Sequence, residues 1–214
     1  MDPARKDTLI EQLIAEGYLL TPRIIDAFRH IDRADFVAPD LRQDAPVNSP
    51  LPIGYGQTIS QPLTVAFMLE LLEPRVGDII LDVGSGSGWQ TALLAWIVGK
   101  AGKVIAIERI RPLLEFGKAN VQKYPLPNVA FIVGDGTRGY EEGAPYDKII
   151  VGAGAKEIPQ DLVDQLKVGG RLVIPHGEYE QDIVRMDKIS KTEMTQKRFP
   201  GFQFVPLIPS EWGA

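Results

Sequence analysis

Cysteine is absent from this 214-residue chain, which removes disulfides, thiolate nucleophiles and zinc-thiolate sites together. Histidine is nearly absent. His30 and His176 are the only two, and a metal site needs several clustered ligands, so each is expected at the surface or hydrogen-bonded and no metal is expected. The chain has no block of basic residues and carries a net charge of −5 with a pI near 5.2. That balance opposes a nucleic-acid partner. No apolar run reaches the roughly 18 residues that would cross a membrane, and the opening MDPARKDTLIEQ has no signal-peptide hydrophobic region. A cytoplasmic protein without a membrane partner is therefore expected. What remains is 44% hydrophobic residues, enough for a substantial core in one α/β domain with a modest extension.

The chain reads as four successive parts. Residues 1–45 look like a helical cap, with Thr8 and Glu11 spaced as a capping box and Thr21-Pro22 opening a second helix. Residues 46–62 are dense in proline and glycine. Leu51, Ile53, Tyr55 and Ile59 give that stretch apolar anchors, so it is expected to be an ordered, functional loop. From residue 63 to residue 177, strands and helices alternate: Ile79 to Val83, a helix from Trp89, Val104 to Glu108, a helix from Arg111 or Pro112, Val129 to Val133, Lys148 to Gly152, a helix from Pro159, and Arg171 to Pro175. Right-handed crossovers convert such a series into a Rossmann-like, doubly wound, mostly parallel sheet. The last part, 178–214, contains DIVRMDKI and FQFVPLI, expected as antiparallel strands at the sheet edge.

The most informative stretch is IILDVGSGSG, Ile79 to Gly88, a buried strand running into a glycine turn and then a helix. A dinucleotide fingerprint would place its last glycine where this chain has Trp89, so a nicotinamide dehydrogenase is disfavoured. Asp82, Glu108 and Asp135 stand at or near the carboxyl ends of three consecutive strands. Clustered carboxylates repel a pyrophosphate and suit a cationic nucleoside without phosphate, with Glu108 placed to accept from both ribose hydroxyls. S-adenosylmethionine is such a molecule. Ser60, taken alone, reads more readily as a cap of the helix after Gln61-Pro62, and Asp82 also reads as an acid ordering the turn. Trp89, Trp96 and Phe131 are expected in the core.

The loop PLPIGYGQTISQP (Pro50 to Pro62), together with LDVGSGSGWQTALLA (Leu81 to Ala95), VGDGTRG (Val133 to Gly139), YDKIIVGAGAKEIP (Tyr146 to Pro159) and GGRLVIPHG (Gly169 to Gly177), resembles the protein-L-isoaspartate O-methyltransferase family over most of the chain. The loop discriminates, because many methyltransferases share the glycine turn. The resemblance implies methyl esterification of L-isoaspartyl, and of D-aspartyl, carboxylates in damaged proteins and peptides, with S-adenosylmethionine as donor and S-adenosylhomocysteine as product. It implies Ser60 as the catalytic residue between cofactor and substrate carboxylate. It also implies Ile59, Asp82, Gly84, Ser85, Gly86, Glu108, Asp135 and Gly136 around the cofactor, and Pro52, Ile53, Gly54, Gln57, Thr58 and Ser60 around the substrate. A monomer is expected, with Pro50 to Ser60 as lid and platform. Where the family usually has an aromatic and an acid ahead of Pro-Leu-Pro, this chain has Pro46 and Asn48. Two alternatives are a methyltransferase of this fold with another acceptor and a non-catalytic cofactor-binding module.

Overall fold

The computed structural model describes residues 3–209. Proline at a helix start loses nothing by lacking an N–H, and Pro3 opens the first helix, α1 (Pro3–Ala15). Thr8 therefore lies in mid-helix, and the capping-box reading is corrected. Helix α2 (Pro22–His30) buries Ile24, Ala27 and Phe28. Thr21 occupies its N-cap position without a side-chain cap bond. Its hydroxyl donates instead to Glu70 Oε2 (2.7 Å), and Glu70 Oε1 accepts from the amides of Leu20 and Thr21 (2.9 and 2.8 Å). The cap is thereby tied to α3 (Pro62–Leu72), which packs in the same core.

The proline- and glycine-rich loop is ordered, and it is a β-hairpin of β1 (Leu51–Gly54) and β2 (Gln57–Ile59). After α3 come β3 (Ile79–Val83), α4 (Trp89–Val98), β4 (Lys103–Glu108), α5 (Arg111–Val121), β5 (Val129–Val133), β6 (Tyr146–Val151), the short α6 (Gln160–Asp164) and β7 (Leu166–His176). β3, β4, β5, β6 and β7 are parallel, and β8 (Gln181–Lys188) and β9 (Met194–Phe202) add antiparallel, giving the order β5-β4-β3-β6-β7-β8-β9. The chain winds outward from β3 in one direction and then restarts on its other side at β6. Ligands bind at such a switch point, outside the carboxyl ends of the strands. β9 protects its exposed edge with Lys197, Arg198 and Pro200, residues that discourage further pairing.

The segment FVPLI does not extend the sheet edge as the sequence suggests. Residues 203–209 leave β9 and run as a strap across the carboxyl ends of the strands, where Gly154 N donates to Val205 O and Leu207 N to Gly154 O (both 2.8 Å). The buried Gln181 clasps the strap, its Oε1 accepting from Phe204 N (2.7 Å). A Cβ on Gly154 would lie within 2.4 Å of that amide, so glycine is what leaves room for the clasp. Residues 210–214 of the expected C-terminal strands lie outside the described residues.

Candidate active site

Hairpin, glycine turn and strap meet over the switch point. Tyr55 and Gly56 form a two-residue turn with φ of 55° and 70°, the left-handed values that a tight hairpin requires. Leu51 and Ile59 anchor the hairpin in the core. Ser60 follows β2, but the N-cap of α3 is Gln61, and the amide of Leu63 is satisfied by Asn48 Oδ1 (3.0 Å) from the other end of the loop. The capping reading of Ser60 is corrected. Ser60 lines two of the cavities described below.

The first of these spaces is a cleft floored by Val83, Gly84, Gly86, Glu108 and Gly136, walled by Gly152 and Ala153, and roofed by Ile53, Gln57 and Thr58 of the hairpin and Val205 to Ile208 of the strap. The turn is shaped by close approach. Gly84, Gly86 and Gly88 all have positive φ, and a Cβ on Gly88 would stand 2.7 Å from Gly117 O of α5. Glu108 Oε2 accepts from Gly86 N (3.1 Å) and Oε1 from Ile110 N (2.9 Å). A carboxylate offers about four acceptor sites, so two remain for the hydroxyls of a ribose. Ser85 Oγ is buried without a hydrogen-bond partner, a donor that an amino-acid carboxylate would satisfy. These features fit S-adenosylmethionine.

Two of the acids take other places. Asp82 is fully buried, its Oδ2 accepting from Thr91 Oγ1 (2.6 Å) and Oδ1 from Gln90 Nε2 (2.8 Å). It lies under the start of α4 and lines none of the cavities around the cleft. Burial pushes its carboxyl up to about 6, and the nearby charge of Glu108 adds to the rise. Asp135 Oδ1 accepts from the amide and hydroxyl of Thr137 (2.9 and 2.7 Å). It faces a wider cavity of about 770 Å³ that meets the cleft at Ile107, whereas Gly136 faces the cleft itself.

Beyond the hairpin lies a groove of about 280 Å³, lined by Pro50, Gln61 and Thr64 on one side and by Gln203, Phe204 and Val205 of the strap on the other. A small junction cavity bordered by Ile59, Ser60, Ser85 and Trp89 connects groove and cleft, and Thr58 and Gly152 line all three spaces. Of the substrate residues expected from sequence, Thr58 and Ser60 are on the groove, and Ile53 and Gln57 face the cleft. Pro52 and Gly54 are exposed on the hairpin and line neither. The sequence reading missed the strap, Gly152, Ala153 and Thr64. The glycine run VGAGA after a buried strand was the available signal for the middle pair.

Comparison with known proteins agrees with this geometry. The sequence matches the protein-L-isoaspartate(D-aspartate) O-methyltransferase family over residues 4–211. It is 45% identical over 208 residues to a Methanopyrus kandleri protein named protein-L-isoaspartate O-methyltransferase, covering 96% of this chain and 92% of that one. An Ignicoccus hospitalis protein of the same name is 45% identical over 209 residues, with 97% and 99% covered. A Plasmodium falciparum protein assigned to this activity and crystallised with S-adenosyl-L-homocysteine superposes with a TM-score of 0.84 at 28% identity, covering 94% of this chain and 97% of that one. With a family match of that extent and relatives of that similarity along nearly their whole length, the chain belongs to the protein-L-isoaspartate(D-aspartate) O-methyltransferase family.

Proposed function

We propose that the cleft holds S-adenosylmethionine and the groove an extended peptide, so that the chain methylates the free carboxylate of L-isoaspartyl and D-aspartyl residues and initiates repair of damaged proteins. The carrying observation is the junction: Thr58 and Gly152 line cleft, junction and groove alike, so a donor in one and an acceptor in the other share a wall. When bound, the cofactor supplies a sulfonium methyl group that a carboxylate takes by in-line displacement.

The residues of the chain then have three tasks. Glu108 takes the ribose, the turn Gly84 to Gly86 the methionine portion with Asp82 beneath it, and Asp135 and Gly136 the adenine end. Ser60 and Thr58 orient the acceptor. A carboxylate with a pKa near 4 is already ionised at pH 7, so no proton need be removed. This agrees with the absence of His30 and His176 from the lining of cleft and groove. The groove residues are all uncharged. A cation there would bind the carboxylate more tightly and make it a poorer nucleophile, whereas hydroxyls and amides orient it while water is stripped away.

Isoaspartate carries one extra methylene in the main chain, so it is distinguished from aspartate by backbone contacts on both sides of the residue. Hairpin and strap supply backbone on the two flanks of the groove, and a longer peptide would pass the exposed Pro52 and Gly54 of the hairpin, while Ile53 and Gln57 border the substrate from the cleft side. Cleft and groove are completed by a single chain, which supports a monomeric enzyme acting as one unit. Among the described residues no helix is long and apolar enough to cross a membrane, and a chain without cysteine suits the cytoplasm.

The test is transfer of labelled methyl to two synthetic peptides that differ only in carrying isoaspartate or aspartate. Label confined to the isoaspartyl peptide, and released as methanol by mild base, supports the assignment. Cofactor binding with neither peptide labelled overturns it.

A further inference from the structure

We propose that Arg33 is the positioning residue of methyl transfer, gripping both arms of the chain that bring Ser60 to the junction. Arg33 opens a 3-10 turn (Arg33–Phe36) in the N-terminal cap and is only 5% exposed. Its Nη1 donates to Ala45 O (2.9 Å) and Val47 O (3.2 Å) on the arm leading into the hairpin. Its Nη2 donates to Ser49 O (2.8 Å) on that arm, and to Ser60 O (3.1 Å) and, more weakly, Ile59 O (3.4 Å) on the arm leading out. The guanidinium carbon lies 5.5 Å from the centre of the Trp89 ring, at the first position of α4. One planar group therefore registers the cap, both hairpin arms and the helix that the glycine turn opens.

The arrangement is costly as a way of stabilising a core. Every group accepting from Arg33 is a backbone carbonyl. Burial lowers its pKa to about 10, which leaves the cation charged at neutral pH. Arg33 Nε and Trp89 Nε1 are buried without partners, and each such group carries an unrecovered desolvation penalty. Apolar residues filling the same volume would avoid that cost. What they could not do is fix peptide orientation. In a trans peptide the C=O and N–H point to opposite sides, so turning the carbonyls of Ile59 and Ser60 toward Arg33 sends the amides of Ser60 and Gln61 the other way. Ser60 and Gln61 both line the groove, and the orientation of their peptides decides where the Ser60 hydroxyl stands. The charge itself is absorbed by the carbonyls, and Arg33 does not line the groove.

This inference rests on the junction being the site of transfer, which the activity of the parent chain tests separately. Arg33→Ala and Arg33→Lys are compared with the parent for kcat and KM on the isoaspartyl peptide, and for S-adenosylmethionine affinity by calorimetry, at a temperature where circular dichroism shows them folded. A misplacement of about 1 Å costs on the order of 10²-fold, so Arg33→Ala is expected to lose about that much in kcat while cofactor affinity is unchanged. Lysine keeps the charge without the fork and should recover part of the loss. Added guanidinium should raise turnover of Arg33→Ala and leave the parent unaffected. A folded Arg33→Ala with parental kcat and KM overturns the proposal. So does failure of both variants to fold, which would assign Arg33 to stability alone.

Discussion

Replacing Asp82 by asparagine should make the cofactor-free protein more stable at neutral pH, although it removes a charge beside the cofactor cleft. The carboxyl is wholly buried, and burial raises it from 3.8 to about 6 against the opposing hydrogen bonds from Thr91 and Gln90. The unfolded chain gives up this proton near pH 4 and the folded chain near pH 6. Between those values the folded state binds more protons, so stability falls as pH rises and then levels off above about 6. A rise of about two pKa units corresponds to about 3 kcal/mol. The introduced asparagine would keep an oxygen for the Thr91 hydroxyl, and Gln90 can turn its amide to accept from the new NH2. Its hydrogen bonding is independent of pH. Urea unfolding of parent and variant from pH 4.5 to 8 isolates the effect as a difference between the two curves. The variant should gain about 2 kcal/mol between pH 4.5 and 6.5, the first part of the total developing below that window, and hold that gain to pH 8. A difference that stays constant across the range would refute the assignment of a desolvated, ionisable Asp82. The variant should also bind S-adenosylmethionine more weakly while its affinity for the uncharged thioether product changes less, because only the donor carries the sulfonium charge.

The remaining expectations concern the hairpin and the cleft. Ser60→Ala should lower turnover and leave cofactor affinity nearly unchanged, as steady-state kinetics and calorimetry would show; equal turnover would remove Ser60 from catalysis. Glu108→Ala strips the acceptor from the amides of Gly86 and Ile110 as well as from the ribose. It should weaken cofactor binding by about 1–3 kcal/mol, and an unaltered calorimetric affinity would refute it. Asn48→Asp places an anion at the N-terminus of α3, where the side-chain carbonyl of Asn48 already accepts from Leu63 N. It should add about 0.3–1 kcal/mol of stability, measurable by urea unfolding, and a loss would show that the site tolerates no charge.

What the sequence made legible was local. β3 and β5 begin and end, and α4 begins, at the residues expected, because an apolar run that meets a glycine decides each within a few positions. The period of two also explains Asp82, whose orientation the site reading missed. Asp82 shares a strand face with Ile80, which packs in the α4 core, while Leu81 and Val83 pack on the other face. An acid at that parity points under the helix, and the residues open to the cleft are those after the strand. Thr8 failed because a proline five residues earlier was the stronger start.

What was illegible depended on contacts between distant residues. Ser60 looked like a cap until Asn48, from the other arm of the loop, took that bond. The hairpin carries Tyr55-Gly56 where Asn-Gly would have announced a turn, and proline within β1 masks its alternation. FVPLI reads as a strand, yet Pro206 cannot donate to a ladder, and its neighbours pair across a single residue, Gly154, that is bare because Gln181 needs the space. The two segments that roof the cleft thus come from before the first strand of the main sheet and after its last, 51–59 and 203–208. Each is pinned by a buried polar side chain, Arg33 or Gln181, bonded to backbone carbonyls or amides. Such a residue has no sequence period and no motif of its own. Its meaning is fixed only when folding brings the backbone to it, which is why the floor of this site and the hairpin of its roof could be named from the sequence, whereas the strap and the side chains that pin both segments could not.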